Sequence, residues 1–278
     1  MAVIRVFPRR TTYTPRDDMA FVGEPPMIRP PADAVHVSCT FTWDKPAAER
    51  LAAAWGQYYP VQLGGPAYDS PCQSFTPGQY IKAGVTFTSR GCNYQCPWCL
   101  AWRREGPLWE DDNFAAGWII NDNNWLQCGR PHHARVLDML RTQRNIEFTG
   151  GLDVRLMTQG MADELRGLRL KHLFFACDTP AQLKPLQAVG KMFAGLDRRK
   201  LRCYVLLALS GQTISAAVAH LENVWAAGFM PHAQLYQPAD RLIVYPQEWH
   251  ELSRRWIRPA VMQIMNGHDS RLPHNGGV

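Results

Sequence analysis

The sequence predicts an α/β protein in which six successive β/α units form a parallel barrel of the TIM type, with a small α/β extension before it and a helix after it. Three observations carry this. Apolar, strand-like segments begin near Val85, Trp118, Ile146, Leu173, Tyr204 and Ala233, at steps of 33, 28, 27, 31 and 29 positions. Helical patterns fill the gaps between them. Leu173 to Cys177 and Tyr204 to Leu209 are continuously apolar, as parallel strands covered on both faces require.

In chain order, the start MAVIRVFPRR is not a secretory signal, because Arg5 interrupts a short apolar stretch that further arginines follow. Val35 to Cys39 reads as a strand, Pro46 to Trp55 as a helix with an Ala/Leu face, and Val61 to Pro66 as a second strand closed by a glycine turn. These place an extension over 1–80 and the barrel over 81–238. Within the barrel, Val136, Met139 and Leu140 mark the first helix, which follows Pro131. Met161, Leu165 and Leu168 mark the second; Leu183, Leu186, Val189, Met192 and Phe193 the third; Ile214, Val218, Leu221 and Trp225 the fourth. Thr213 suits an N-cap of that last helix and Gly228 its C′ position. Over 239–278, Trp249, Leu252 and Trp256 recur at helical spacing beside Arg254, Arg255 and Arg258, and 266–278 reads as a flexible end.

With 278 residues, 46% of them apolar, the chain can bury a substantial core, which excludes disorder and collagen-like repetition. No apolar run approaches the ~18 residues of a membrane span, so a soluble, cytoplasmic protein without a membrane partner is expected. The net charge of +6 and pI near 9.0 permit a polyanionic partner. Eight cysteines admit disulfide, metal or redox chemistry, and a reducing compartment disfavours the first.

Their spacing is informative. Cys39, Cys72, Cys128, Cys177 and Cys203 are scattered, whereas Cys92-Asn-Tyr-Gln-Cys96-Pro-Trp-Cys99 packs three into eight residues just after the first strand. Three thiolates in one short loop suit a [4Fe-4S] cluster, leaving one iron open to a chelating ligand such as the methionine end of S-adenosylmethionine. The alternative is zinc on Cys96 and Cys99, completed by Cys128 and His132 or His133, although zinc ligands usually come as two tight pairs.

Cys92, Cys96 and Cys99, with the aromatic Trp98 before the third cysteine, form the CxxxCxφC signature that resembles the radical S-adenosylmethionine (radical SAM) superfamily. The resemblance implies a partial (β/α)6 barrel holding a [4Fe-4S] cluster. It also implies reductive cleavage of S-adenosylmethionine to methionine and a 5′-deoxyadenosyl radical, hydrogen abstraction from a substrate, and an electron donor such as flavodoxin or ferredoxin. It assigns Asn121-Asp122-Asn123-Asn124, at the end of the second strand, to the amino group of S-adenosylmethionine; the bland alternative is an Asx-rich turn. Asp122 suits that role because a carboxylate accepts from an ammonium.

Further residues stand where the later strands end. Thr149-Gly150-Gly151-Leu152-Asp153-Val154-Arg155 ends the third, with glycines that admit close approach of a ligand; Asp153 and Arg155 either bind a carboxylate or substrate, or pair structurally. Asp178 ends the fourth, suited to ribose hydroxyls or to capping the next helix. Ser210-Gly211 and Tyr236 end the fifth and sixth, resembling the turn near adenine and the residue packed on it.

Residues 33–67 are similar to a fragment of the flavodoxin-like domain of cobalamin-dependent radical SAM proteins. The length and the DxHxxG loop of that domain are missing, so no cobalamin is expected. The cysteine count likewise excludes methylthiotransferase activity and an auxiliary cluster. The basic runs Arg9-Arg10, Arg103-Arg104 and Arg198-Arg199-Lys200, with ten tryptophans, make a nucleoside or nucleic-acid base of tRNA or phage DNA the first substrate expectation. A peptide or small metabolite is the second. A non-catalytic zinc-binding nucleic-acid adaptor is the alternative of another class.

Overall fold

The computed structural model describes residues 2–69, 75–209 and 211–265. The chain divides into two compact units, one formed by 1–121 with 237–242, the other by 122–236 with the segment from 243 onward. Cys72, Ser210 and 266–278 lie outside the described residues.

The first unit holds a parallel sheet of β1 (Val3–Phe7), β2 (Ala20–Val22), β3 (Ala34–Ser38) and β4 (Val61–Gly64), in the order β2-β1-β3-β4. Strand alternation sorts the side chains by face. Ile4, Val6, Val35 and Val37 form one core with Ala48, Leu51 and Trp55 of helix α1 (Lys45–Trp55), whose inward residues recur at helical spacing. Arg5 points the other way and donates to the carbonyls of Gly78 and Gln79, at 3.1 and 2.6 Å, while pairing with Asp17. Next to it on β3, His36 Nδ1 is hydrogen-bonded to the Tyr80 hydroxyl. Strands β1 and β2 were not expected from the sequence. The arginine that breaks the apolar run at the N-terminus is a strand residue, satisfied by backbone carbonyls about seventy positions away.

The same unit contains β5 (Val85–Thr86), β6 (Ser89–Arg90), the short helix α2 (Ala101–Glu105), β7 (Trp109–Glu110) and β8 (Ile119–Ile120). β5 and β8 pair in parallel, and β6 and β7 pair antiparallel.

The second unit is built on β9 (Ile146–Asp153), β10 (Leu170–Ala176), β11 (Leu201–Leu207) and β12 (Met230–Leu235), hydrogen-bonded in that order and all parallel. Helices α3 (Arg130–Arg141), α4 (Gln159–Arg166), α5 (Leu183–Met192) and α6 (Ile214–Ala226) precede and connect them. Thr158 and Thr213 cap α4 and α6 through their hydroxyls, and Gly228, at φ +99°, follows α6 in the left-handed region. Phe175 packs against Phe193 and Phe229 at ring separations of 5.8 and 5.2 Å. After β12, α7 (Gln247–Arg255) buries Trp249, Leu252 and the adjoining Trp256, and Ser253 Oγ donates to the Ala233 carbonyl at 3.1 Å. Arg254, Arg255 and Arg258 stay at the surface. A further helix, α8, spans Pro259–Met265. Among the described residues no helix is long and apolar enough to cross a membrane.

One sequence expectation is corrected. The runs 173–177 and 204–209 are not covered alike on both faces: Leu173, Phe175, Cys177, Val205 and Leu207 are buried, while Phe174, Tyr204 and Leu206 on the opposite face are half-buried. The third strand ends, as expected, within Thr149 to Arg155, at Asp153. The irregularity inside it was not foreseen: Leu173 stands opposite Phe148 but Phe175 opposite Leu152, so two extra residues bulge out around Gly150 and Gly151.

The half-buried face also carries Glu147, which accepts from Lys171 Nζ at 2.9 Å and His172 Nδ1 at 3.4 Å. Burial pushes this carboxyl up, but the hydrogen bonds from His172 and Lys171 outweigh it and hold the pKa at about 2. Since the folded value is depressed, its stabilisation is present above the ordinary value of 4.5 and is lost as pH falls toward 2. E147Q is therefore expected to be less stable than the parent at pH 7, by on the order of 2 kcal/mol after allowing for the exposed lysine. Urea denaturation followed from pH 7 downward should show the two curves converging below pH 4.5.

Candidate functional site

The cysteine motif lies on a loop pinched shut at its base. β6 and β7 pair Ser89 with Glu110 and Arg90 with Trp109, so 91–108 leaves and returns at one point. Arg90 grips Glu105 through two hydrogen bonds of 2.7 and 2.9 Å, and Cys92 N–H donates to the Gly106 carbonyl at 3.1 Å. Gly91 sits at φ +77°, where a Cβ would lie 2.1 Å from the Pro107 carbonyl oxygen, so only glycine allows this closure. Inside the loop, Cys99 N–H donates to the Cys96 carbonyl at 3.0 Å, and the Trp102 indole donates to the same carbonyl at 3.1 Å. The Arg103 guanidinium lies over the Trp102 ring, 5.0 Å from its centroid.

Exposure separates the cysteines. Cys92, Cys96 and Cys99 are half-exposed, whereas Cys39, Cys128, Cys177 and Cys203 are buried. Burial raises the thiol pKa of Cys39, carries Cys177 up to about 12 and pushes Cys203 well above its ordinary value, which leaves these three inert. The clustered thiols therefore remain the candidate ligands. Among the described residues no three His, Cys, Asp or Glu side chains converge on one metal ion. A cube in which each thiolate takes a separate iron does not ask for that convergence; a tetrahedral zinc site does. Of the proposed zinc ligands, Cys128 is buried, His132 Nδ1 faces the Arg135 guanidinium at 3.2 Å, and His133 Nε2 is 3.0 Å from the Trp125 carbonyl oxygen.

In the second unit, the turn after the β8 position and the end of β9 come together. Asp122 and Asn124 are 2% and 6% exposed, and Asn123 is half-buried. Asn124 Nδ2 donates to Asp153 Oδ2 at 3.5 Å. Asp153 also receives the Arg155 Nε and Nη2 at 2.9 and 2.7 Å and the Arg155 N–H at 3.0 Å. The two candidate catalytic residues thus hold each other, as the structural reading of the pair requires, with Arg155 39% exposed and Asp153 8%. Gly150 has a use the sequence did not reveal: a Cβ there would fall 1.6 Å from the Asp122 carbonyl oxygen, so the glycine admits the neighbouring turn rather than a ligand. Tyr204 OH donates to the bulged Thr149 carbonyl at 3.1 Å.

Beyond β10, Asp178 Oδ1 accepts from the Leu206 N–H at 3.1 Å, and the helical turn at Pro180 is capped by Thr179 and Gln182 instead. Gly211 is exposed at φ +74°, and the Gln212 side chain accepts from the Ala208 N–H at 2.7 Å. Tyr236 N–H donates to the Leu207 carbonyl at 3.0 Å, and its own carbonyl accepts from Tyr245 OH. Trp98 is half-buried in the cysteine loop.

The architecture is a mixed α/β fold with parallel sheets and polar residues gathered after the strands. No family model matches the chain, and no curated protein matches it. Among solved structures it is similar to the radical S-adenosylmethionine methyltransferase TsrM from Kitasatospora setae, determined with cobalamin and a [4Fe-4S] cluster bound. The TM-score is 0.52 at 10% identity, over 84% of this chain and 74% of that one, a likeness of fold.

Proposed function

We propose that this chain is a radical SAM enzyme whose cluster is held by Cys92, Cys96 and Cys99. The observation that carries the reading is the clamped loop, where three thiols stay half-exposed while the other described cysteines are buried. The donor set fits the group: three soft ligands on one short loop leave an iron for a substrate-derived ligand. The fold likeness to TsrM supports it. When bound, the cluster supplies the electron for reductive cleavage of S-adenosylmethionine, and an external donor such as flavodoxin or ferredoxin replenishes it.

The chain's own residues have the following parts. The Arg90–Glu105 clamp fixes the loop against the β6–β7 base. Asp122 takes the ammonium of S-adenosylmethionine, a carboxylate held away from water where an ion pair is strong, and Asn123 and Asn124 orient it. Arg155, the more exposed of its pair, meets a carboxylate or the substrate, with Asp153 positioning it. Asp178 faces the ribose; Gly211 and Tyr236 border adenine, and Trp98 flanks the cluster. On this reading the strands belong to a partial (β/α)6 barrel, and the part its walls play is to keep water from the reacting atoms. A nucleoside or nucleic-acid base is the proposed substrate.

Cobalamin is not part of this reading. What supports leaving it out is the sequence: the DxHxxG loop is missing, and His36, the one histidine in 1–121, stands in the middle of β3. Protein purified without oxygen and reconstituted with iron and sulfide should be brown and, once reduced, should release 5′-deoxyadenosine from S-adenosylmethionine. Titrated hydroxocobalamin should pass through a desalting column unbound. A colourless protein holding one zinc per chain would sink the enzyme reading.

A further inference from the structure

We propose that the half-buried face of the β9–β12 sheet binds the anionic group of a small substrate, with Arg202 as the charged contact and a planar, apolar part of the molecule lying along Phe174 and Tyr204. This rests on the preceding reading only in naming that ligand the substrate.

The argument begins with strand alternation. Helices cover the face bearing Phe175, Cys203 and Val205, so the residues between them line the other side. There, Phe174 stands opposite Arg202 in the β10–β11 register, and Tyr204 opposite His232 in the β11–β12 register. Phe174 and Tyr204 stack at 4.8 Å, and His232 meets both edge-on at 5.9 and 5.5 Å. These three rings form an aromatic wall beside a guanidinium.

The charges on this face do not balance at Arg202. Its Nε is buried with no hydrogen-bond partner, and among the described residues Arg202 makes no ion pair. Glu147, the carboxylate on the same face, is taken by Lys171 and His172. Asp197, whose field reaches Arg202, is held by Arg199 through Nε and Nη2 at 2.9 and 2.6 Å. His232 lies close enough that Arg202 adds to burial in lowering its basicity. Two basic groups therefore share one spot without an anion. An orphaned buried donor destabilises a fold, and local rules are broken in this way at functional sites. A guanidinium fork matches a carboxylate or a phosphate.

Position adds a length. Arg202 is the second residue of β11, and the strand ends five residues later at Leu207. At ~3.3 Å per residue the anionic head sits about 16 Å from the strand-end loops, so the ligand lies along the sheet with its far end toward them. A nucleoside monophosphate and an aromatic carboxylate both have this chemistry.

Calorimetric titration of the full chain, with and without reconstituted cluster, tests the proposal. The probes are the four nucleoside 5′-monophosphates against their nucleosides, and phenylpropionate against phenylpropionamide. One charged series is expected to bind and its neutral counterpart not, which also identifies the source of the anion. R202M should weaken binding about tenfold or more, and R202K should restore part of it. R202M should melt at or above the parent temperature, since an unpartnered charge is removed, whereas a structural arginine would cost stability. The proposal is overturned if neither charged series binds at millimolar concentration, if charged and neutral probes bind alike, or if R202M fails to fold and R202K leaves binding unchanged. Binding that persists while S-adenosylmethionine is not cleaved would leave this site standing and refute the enzyme reading.

Discussion

Replacing Cys96 with alanine is expected to abolish cluster assembly and release of 5′-deoxyadenosine, while leaving the fold intact. The side chain is half-exposed, so its loss opens no core cavity, and stability should move by no more than about 0.5 kcal/mol. The backbone bonds from Cys99 N–H and the Trp102 indole go to the Cys96 carbonyl, which the substitution keeps. Two thiolates would then serve four irons, and the brown absorbance of the reconstituted protein should fall to background. The contrast lies in the buried cysteines. Cys203→Ala should retain the cluster and the activity at the cost of about 1 kcal/mol, because it removes a packed sulfur with no place in the loop. Cluster loss in C203A with a retained cluster in C96A would mean that the ligands were wrongly chosen.

Gly150→Ala is expected to be the most damaging single methyl addition in the second unit. The new carbon would stand 1.6 Å from the Asp122 carbonyl oxygen, and backbone, unlike the end of a long side chain, cannot swing away. Either the bulge or the turn at Asn121 to Asn124 must move, at a cost of about 3 kcal/mol or more. S-adenosylmethionine affinity should fall with it, because Asp122 is the residue displaced. Gly160→Ala is the control: a Cβ there meets nothing within 4 Å, so its melting temperature and its binding should match the parent. Equal melting temperatures for G150A and the parent would show that the two segments do not touch.

These two outcomes differ in how far the sequence foretold them. The cysteine loop was legible because its chemistry is local. Three thiols within eight residues can serve one group whatever the rest of the chain does, and a spacing can be read directly. The regular elements were legible for a similar reason: the apolar residues of α5 and α6 repeat at 3.6 positions, and Thr213 and Gly228 mark where α6 starts and stops. Gly150 was not legible. Paired glycines at a strand end suit a ligand and a bulge equally, and only the Asp122 carbonyl, twenty-eight positions away, separates the two. The strand at Val3–Phe7 was not legible either, since the partners of Arg5 within it, the carbonyls of Gly78 and Gln79, lie more than seventy positions away.

The sequence by itself determined the spacing of the three thiols, the alternation of strands and helices from β9 to β12, and the excess of basic residues, because each is a property of neighbours along the chain. The tertiary structure alone decided which thiols are buried, that Gly150 admits the Asp122 carbonyl, and that Arg202, beside an aromatic wall, has no ion pair among the described residues. These depend on groups from distant positions in the chain, and the physical reason is that burial and ion pairing are set by distance in space.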